Sequence, residues 1–148
     1  MKSNKPILLV EDNPSDADLT KRALTRGHIS NELVIAEDGQ EALDYLRGEG
    51  SYAGRAVAET PSMILLDLKL PKVSGLEVLR AVRADARLRR IPVVILTSSK
   101  EEEDVGAGYD LGVNSYVRKP VDFKEFQAAI ANLGLYWLIL NEPNPPVK

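Results

Sequence analysis

The chain lacks cysteine altogether, and it has one histidine and one tryptophan among its 148 residues. Without cysteine, disulfide bonds, thiolate catalysis and zinc sites built on cysteine ligands are excluded. No apolar run approaches the ~20 residues that a membrane-spanning helix needs, and the apolar stretch near the N-terminus is too short for a signal-peptide core. We therefore expect a cytoplasmic protein with no membrane contact, whose chemistry depends on oxygen and nitrogen groups.

A strong excess of one charge sign is also missing. Lysine and arginine number 19, against 22 aspartates and glutamates, which gives a net charge of -3. Nucleic-acid-binding domains usually carry a basic excess, so we expect no direct contact with nucleic acid. The length and the 44% hydrophobic content suit one folded domain. We assign residues 1–141 to this domain and residues 142–148 to a tail whose prolines cannot continue a helix.

Five short apolar runs recur along the chain: Ile7–Val10, Leu33–Ala36, Met63–Leu66, Val93–Leu96 and Val113–Val117. Each lacks polar alternation, which is typical of parallel strands buried on both faces. A helix-start signal follows every run. The first is Asn13 before Pro14, and the other four place a capping oxygen three residues before a glutamate, at Asp38, Ser74, Ser99 and Asp122.

This alternation predicts an α/β fold, a doubly wound parallel sheet of the flavodoxin-like (βα)5 type with strand order 2-1-3-4-5. Between the second helix and the third strand, residues 48–61 are rich in glycine and alanine. We interpret that segment as a mobile loop.

Polar residues follow the predicted strands where ligand sites form in such sheets. Glu11 and Asp12 follow the first strand, Asp67 the third, Thr97 the fourth and Lys119 the fifth. Three neighbouring carboxylates repel one another unless a cation neutralises them, and oxygen ligands suit Mg²⁺. Singly, these residues are ordinary caps, turns or strand ends. Together they supply a carboxylate nucleophile, a metal site, a cation and a hydroxyl, as the formation of an aspartyl phosphate requires.

At this point the sequence resembles the receiver domain of two-component response regulators. The resemblance covers about residues 5–140 and is carried by Glu11-Asp12-Asn13, Asp67-Leu-Lys-Leu-Pro71 with Gly75, Thr97-Ser98-Ser99 and Tyr116-Val-Arg-Lys119-Pro120. Glu11 stands where aspartate is more usual. Three further features resemble stand-alone regulators of phytochrome-type histidine kinases. They are the motif Glu-Asp-Asn-Pro-Ser-Asp at residues 11–16, the long loop before the third strand, and Tyr136-Trp137.

The resemblance implies that Asp67 accepts a phosphoryl group from the phosphohistidine of a sensor kinase. Asp12, Asp67 and the backbone carbonyl of Lys69 would hold Mg²⁺, which Mn²⁺ or Ca²⁺ can replace, and Glu11 would assist. The protein would catalyse only its own phosphorylation and dephosphorylation, so it is not an enzyme acting on other substrates.

The resemblance also implies a switch. Lys119 would bind the phosphoryl group, Thr97 would move toward it, and Tyr116 would rotate inward. No output domain follows in this sequence, so we expect a single-domain regulator that signals through a conformational or dimerisation switch, or by onward phosphorelay.

The fifth predicted helix carries an apolar stripe that extends to residues on its other faces near the end. Such a helix end must be covered, which favours a partner. We predict a homodimer through the fourth predicted helix, the fifth strand and the fifth helix, with interface residues Phe126, Tyr136, Trp137 and Leu140.

Three alternatives remain at this point. A phosphatase of the haloacid-dehalogenase type also uses an aspartate after a strand. It would, however, need a second acid, as a general acid/base, at the position that Lys69 occupies. A nucleotide-binding module would need a phosphate-binding loop, and the glycines around Gly48 follow a helix instead of a strand. A receiver that binds partners without phosphorylation would not need the full set of acids, threonine and lysine.

Overall fold

The computed structural model describes residues 5–27, 29–55, 60–97, 112–113, 115–119 and 123–129. It contains five strands and four α-helices within those residues. In chain order they are β1 Ile7–Val10, α1 Pro14–Arg26, β2 Leu33–Ala36, α2 Gly39–Arg47, β3 Met63–Leu66, α3 Gly75–Ala84, β4 Val93–Thr97, β5 Ser115–Arg118 and α4 Phe123–Ala129. α4 lies in the fifth helix predicted from the sequence. None of the helices in the described ranges is long and apolar enough to cross a bilayer.

The five strands form one parallel sheet in the order β2-β1-β3-β4-β5. The predicted fold class and strand order are therefore confirmed. Val10, the last residue of β1, pairs with Ala36 on one side and with Leu66 on the other. Because these strands end in register, the residues that follow them emerge together at one edge of the sheet.

The core has two layers, one on each face of the sheet. Leu8 and Val10 pack into the layer that contains α2 and α3, whereas Ile7 and Leu9 pack into the layer that contains α1 and α4. All four side chains are at most 1% exposed. Since a strand turns alternate side chains to opposite faces, a strand buried on both faces must be apolar throughout, as β1 is.

Side-chain caps start the first three helices as the sequence predicts. Asn13 Oδ1 accepts the N–H groups of Ser15 and Asp16 at 2.9 and 3.1 Å. Asp38 Oδ1 accepts the N–H of Glu41 at 2.7 Å, and the hydroxyl of Ser74 accepts that of Glu77 at 3.3 Å. Each cap satisfies N–H groups that have no partner inside the helix. The caps predicted at Ser99 and Asp122 lie outside the described residues.

The fifth strand differs from its prediction. It begins at Ser115, not Val113, and its pairing with β4 runs from Val94 opposite Ser115 to Thr97 opposite Arg118. Val113 is buried without being part of the strand. The apolar run therefore marks burial, which begins before the backbone pairing does.

The segment after α2, predicted as a mobile loop, contains a 3-10 turn at Gly50–Tyr52. The ring of Tyr52 packs edge-on against that of Tyr45, with centroids 5.1 Å apart, and its hydroxyl donates to Glu41 Oε2 at 2.7 Å. Arg55 lies 4.2 Å from the centre of the Tyr45 ring and donates to the Tyr45 carbonyl at 2.7 Å. These contacts tie the first part of the segment, up to Arg55, to α2.

Tyr52 gives a prediction about alkaline stability. Burial, together with donation to Glu41, raises the pKa of Tyr52 from 10.0 to about 12. The folded protein thus holds this proton more tightly than the unfolded chain. The resulting stabilisation is fully present below about pH 10 and is lost as the pH rises through about 12. We expect Tyr52→Phe to lower the free energy of unfolding at neutral pH by ~1 kcal/mol, because the ring stays and the hydrogen bond is lost.

Urea unfolding and the ultraviolet absorbance of tyrosinate would measure the two effects of Tyr52→Phe. The variant should lose the ionisation at about pH 12 and leave the lower steps in place. An unchanged highest step would show that another tyrosine causes it and would contradict the prediction.

Candidate functional site

Three carboxylates meet at the carboxyl edge of the sheet. Glu11 and Asp12 follow β1, and Asp67 follows β3, the adjacent strand. Backbone bonds from Glu11 N to Ala36 O and from Asp67 N to Val10 O continue the strand pairing to these residues. One oxygen from each of the three acids lies within 4.8 Å of the other two. Glu11 and Asp67 are buried and Asp12 is exposed, so the acid cluster opens to solvent on one side.

Lys119 reaches this acid cluster from the far edge of the sheet. β5 is separated from β3 by β4, so the long side chain crosses in front of β4, a path that a short side chain could not cover. Its Nζ donates to Asp67 Oδ2 at 2.8 Å and lies 2.5 Å from Glu11 Oε1. The Lys119 side chain is 9% exposed. The structure thus brings together four of the residues that the sequence places at strand ends.

A fourth carboxylate at this edge was missed by sequence reasoning. Asp16, in the first turn of α1, accepts from Lys119 Nζ at 3.0 Å through Oδ2. The signal was available, because Asn13 and Pro14 start α1 just after the acid pair, and the first turn of that helix must therefore lie beside the cluster. In the sequence, Asp16 stands out only as the last residue of the motif Glu-Asp-Asn-Pro-Ser-Asp.

The loop after β3 fixes the other oxygen of Asp67. Asp67 Oδ1 accepts the backbone N–H of Lys69 at 3.1 Å, and the N–H of Gly75 donates to Leu68 O at 2.9 Å. Lys72 has φ of 66°, and Val73 N donates to Pro71 O across it, so the loop makes a tight turn there. The carbonyl of Lys69 as a metal ligand stays a prediction.

The two residues predicted to switch lie on neighbouring strands. Thr97 ends β4, opposite Arg118. Its side chain lies outside the part of the chain that the structure describes. Tyr116, in β5, lies opposite Ile95 of β4 and is half-buried against the core layer that contains α2 and α3. Their switching roles stay predictions.

The predicted dimer interface needs one correction. Phe126 is 1% exposed and packs with Ile7 and Leu9 in the layer of α1 and α4, so its side chain is not available to a partner. Its place in an apolar helical stripe reflects packing on the sheet. The other three interface residues, Tyr136, Trp137 and Leu140, lie outside the described residues.

The electrostatics of the site favour an additional cation. Burial raises the pKa of Glu11 to about 7, although the Lys119 ammonium and the N–H of Asn13 act to lower it. Burial alone would lower the pKa of Lys119, but its carboxylate partners, Asp67 first, outweigh burial and raise that pKa. Lys119 is therefore charged at neutral pH. A single ammonium is shared with Glu11, Asp16 and Asp67, and Asp12 adds another acid at the same edge.

The carboxylate oxygens of the acid cluster suit a divalent metal ion. Glu11 Oε1 is buried, and apart from the ion pair with Lys119 it receives no well-directed hydrogen bond from the described residues. All three groups of the acid cluster offer carboxylate oxygens, the donors that Mg²⁺ and Mn²⁺ prefer. The acid cluster fits the divalent-metal site that the sequence predicts.

Residues 7–131 match the family model described as the response regulator receiver domain. The chain belongs to the receiver family. The resemblance noted in the sequence is thereby confirmed. Among the curated relatives, the probable methanogenesis regulatory protein FilR2 of Methanothrix harundinacea is 44% identical to this chain over 141 residues. The alignment covers 95% of this chain and 88% of FilR2. The response regulator Rcp1 of Synechocystis is 41% identical over 138 residues, 92% of each chain.

Solved structures of receivers show the same fold. The bacteriophytochrome response regulator RtBRR superimposes with a TM-score of 0.83 and 59% identity, over 97% of this chain and 86% of RtBRR. The Mn²⁺-bound crystal form of Rcp1 gives a TM-score of 0.79 and 39% identity, over 95% of this chain and 99% of Rcp1. A receiver similar to this chain thus binds a divalent metal, in agreement with the chemistry of the acid cluster.

Proposed function

We propose that this receiver accepts a phosphoryl group from the phosphohistidine of a sensor histidine kinase onto Asp67. The observation that carries the proposal is the setting of Asp67, a buried carboxylate held through one oxygen by the Lys69 N–H and through the other by Lys119. A carboxylate oxygen of Asp67 attacks phosphorus, the bond from phosphorus to the histidine nitrogen breaks, and its electron pair returns to the imidazole.

The acid cluster and Lys119 prepare this attack. Asp12, Asp67 and the Lys69 carbonyl would hold Mg²⁺, with Glu11 assisting, and the ion would neutralise charge on the transferred phosphoryl oxygens. The Lys119 ammonium lies 2.8 Å from Asp67 Oδ2 and is already charged, so it pairs with a phosphoryl oxygen once Asp67 is modified.

The signal then leaves the site by a two-state change. Thr97 donates to the phosphoryl group, and Tyr116 turns inward. The protein in this new state forms a homodimer through the fourth predicted helix, β5 and the fifth predicted helix, or it passes its phosphoryl group on. Residues 1–141 act as one receiver domain that catalyses only its own phosphorylation and dephosphorylation. We also propose that the protein is located in the cytoplasm.

A phytochrome-type kinase is the partner we propose. RtBRR, named as a bacteriophytochrome response regulator, is 59% identical to this chain over the aligned residues, whereas FilR2, named for methanogenesis, is 44% identical over 141 residues. The higher identity extends over nearly the whole chain, which favours a light-sensing kinase as the phosphoryl donor.

Phosphoryl uptake tests the proposal. We expect the wild-type protein, incubated with MgCl₂ and acetyl phosphate, to gain the mass of one phosphoryl group, and Asp67→Asn to gain none, because the amide is not a nucleophile. Intact-mass spectrometry makes the measurement. Asp18→Asn, which removes an exposed acid paired with Arg22, is the matched control and should behave like the wild type. A wild-type protein that never gains the mass would overturn the proposal, and turnover of the donor without Asp67 modification would favour a phosphatase.

A further inference from the structure

Asp16 binds Lys119 from outside the acid cluster. Within the described residues, Lys119 Nζ contacts three carboxylates, those of Glu11, Asp67 and Asp16. Among those same residues the acid cluster comprises Glu11, Asp12 and Asp67, and Asp16 stands outside it. Two of the three lysine partners would therefore also serve a divalent cation, and the third would not.

The backbone of Asp16 is held at both ends of the residue. Its N–H donates to Asn13 Oδ1 at 3.1 Å, and its carbonyl accepts the hydroxyl of Thr20, a buried residue, at 2.9 Å. Its side chain is 26% exposed, so the contact with Lys119 lies at the mouth of the site. An acid in the first turn also interacts favourably with the helix dipole, and that role alone would need no lysine.

Lys119 competes with a divalent cation for the same oxygens. Its ammonium lies against Glu11 Oε1 and Asp67 Oδ2, and a cation bound by the cluster needs the negative potential of those groups. A further carboxylate that also attracts the ammonium weakens this competition. Asp16 is the partner in the right place to do so, since it contacts the ammonium without belonging to the cluster.

We propose that Asp16 is a positioning residue: as a third partner of the Lys119 ammonium, it weakens the hold of that ammonium on Glu11 and Asp67 and so makes these two acids easier for a divalent cation to bind. This inference rests on the proposed function in one respect, namely that the cation serves phosphorylation of Asp67. The binding of the cation itself is separate from that chemistry and can be measured without a phosphoryl donor.

Calorimetric titration of the unphosphorylated protein with MgCl₂ alone tests the proposal. We expect Asp16→Asn to weaken Mg²⁺ binding by about three- to fivefold, since the ammonium then pairs more closely with Glu11 and Asp67. Asp18→Asn on the same helix removes the same charge from an acid paired with Arg22 and should weaken binding by less than about 1.5-fold. Asp16→Ser is a second neutral variant and should behave like Asp16→Asn. Equal affinities in Asp16→Asn and Asp18→Asn would overturn the proposal.

A double-mutant cycle separates positioning from a direct effect of charge. In a Lys119→Met background, Asp16→Asn should weaken Mg²⁺ binding no more than Asp18→Asn does, because no ammonium remains to be positioned. A full effect of Asp16→Asn in that background would mean that Asp16 acts on the cation itself, and the proposal would fail.

Kinetics supply the last readout. With acetyl phosphate as donor, Asp16→Asn should raise the MgCl₂ concentration for half-maximal phosphorylation by the same factor and leave the maximal rate within about twofold. A lowered maximal rate at an unchanged half-maximal concentration would contradict the positioning role. If the wild-type protein took up no phosphoryl group, the proposed function would fail, while the calorimetry would still decide the role of Asp16.

Discussion

Replacing Lys119 with methionine is expected to destabilise the metal-free protein by about 3 kcal/mol, because it leaves Glu11 and Asp67 buried without their shared counter-charge. This is the low end of the range for broken buried ion pairs, since the neighbouring acids Asp12 and Asp16 are exposed to solvent in whole or in part. Methionine keeps the apolar stem that crosses in front of β4, so the loss measures charge more than packing. Urea unfolding with a chelator present makes the measurement.

The same variant should respond more strongly to Mg²⁺ than the wild type does. The cation neutralises the acids that Lys119 no longer neutralises, and the Lys119 ammonium no longer competes for them. We therefore expect MgCl₂ to recover a larger share of stability in Lys119→Met. Phosphoryl uptake should fall, because in the proposed reaction the phosphoryl oxygens lose their partner. Lys69→Met, on an exposed lysine at the same edge, is the matched control and should change stability by less than ~0.5 kcal/mol. Equal losses in the two variants would refute the role of Lys119 as the buried counter-charge.

The acid cluster could be predicted from the sequence because it depends on topology alone. Parallel strands that end in register place whatever follows them at one edge, so Glu11 and Asp67 are brought together by their positions after β1 and β3. The bounds of β1, β2 and β3 were likewise predicted, because each strand is a continuous apolar run. β1 and β3 are buried throughout, whereas β2 lies at the edge of the sheet and is only partly buried.

The contacts that could not be predicted from the sequence are those made by side chains that extend from one element to another. The contact of Asp16 with Lys119 joins residues 103 positions apart and requires the direction of α1 relative to β5. The bonds from Tyr52 to Glu41 and from Arg55 to the Tyr45 carbonyl likewise tie a segment rich in small residues to a helix face. An apolar stripe cannot distinguish a core residue such as Phe126 from an interface residue, because both are apolar at the same spacing.

The close approach of α3 to the loop that carries Asp67 gives the other large expected effect. A Cβ atom at position 75 would overlap the carbonyl oxygen of Asp67 and would lie 2.5 Å from Leu68 Cα. Both are backbone atoms, so no side-chain rotation can relieve the contact. We expect Gly75→Ala to lower the free energy of unfolding by about 3 kcal/mol or more, measured by urea unfolding.

Gly27→Ala separates steric overlap from the general cost or gain of replacing a glycine. At position 27 the new Cβ would come no closer than 3.5 Å to any neighbour, and φ is -81°, which alanine adopts without strain. That variant should be neutral or stabilised by up to ~0.5 kcal/mol, because the unfolded chain becomes less flexible. If Gly75→Ala were as stable as Gly27→Ala, the packing of α3 on the loop would be looser than the structure has it.

Gly75→Ala should also slow phosphorylation in the molecules that remain folded. The only way to admit the methyl group is to move α3 or the backbone at Asp67 and Leu68, and the N–H of Gly75 that donates to Leu68 O would move with it. The bond from Lys69 N–H to Asp67 Oδ1 depends on the same turn, so Asp67, the proposed nucleophile, would lose part of its orientation. Phosphoryl uptake that stayed at the wild-type rate in a destabilised Gly75→Ala protein would show that the strain is absorbed by α3, and that the orientation of Asp67 does not depend on the fit of this helix.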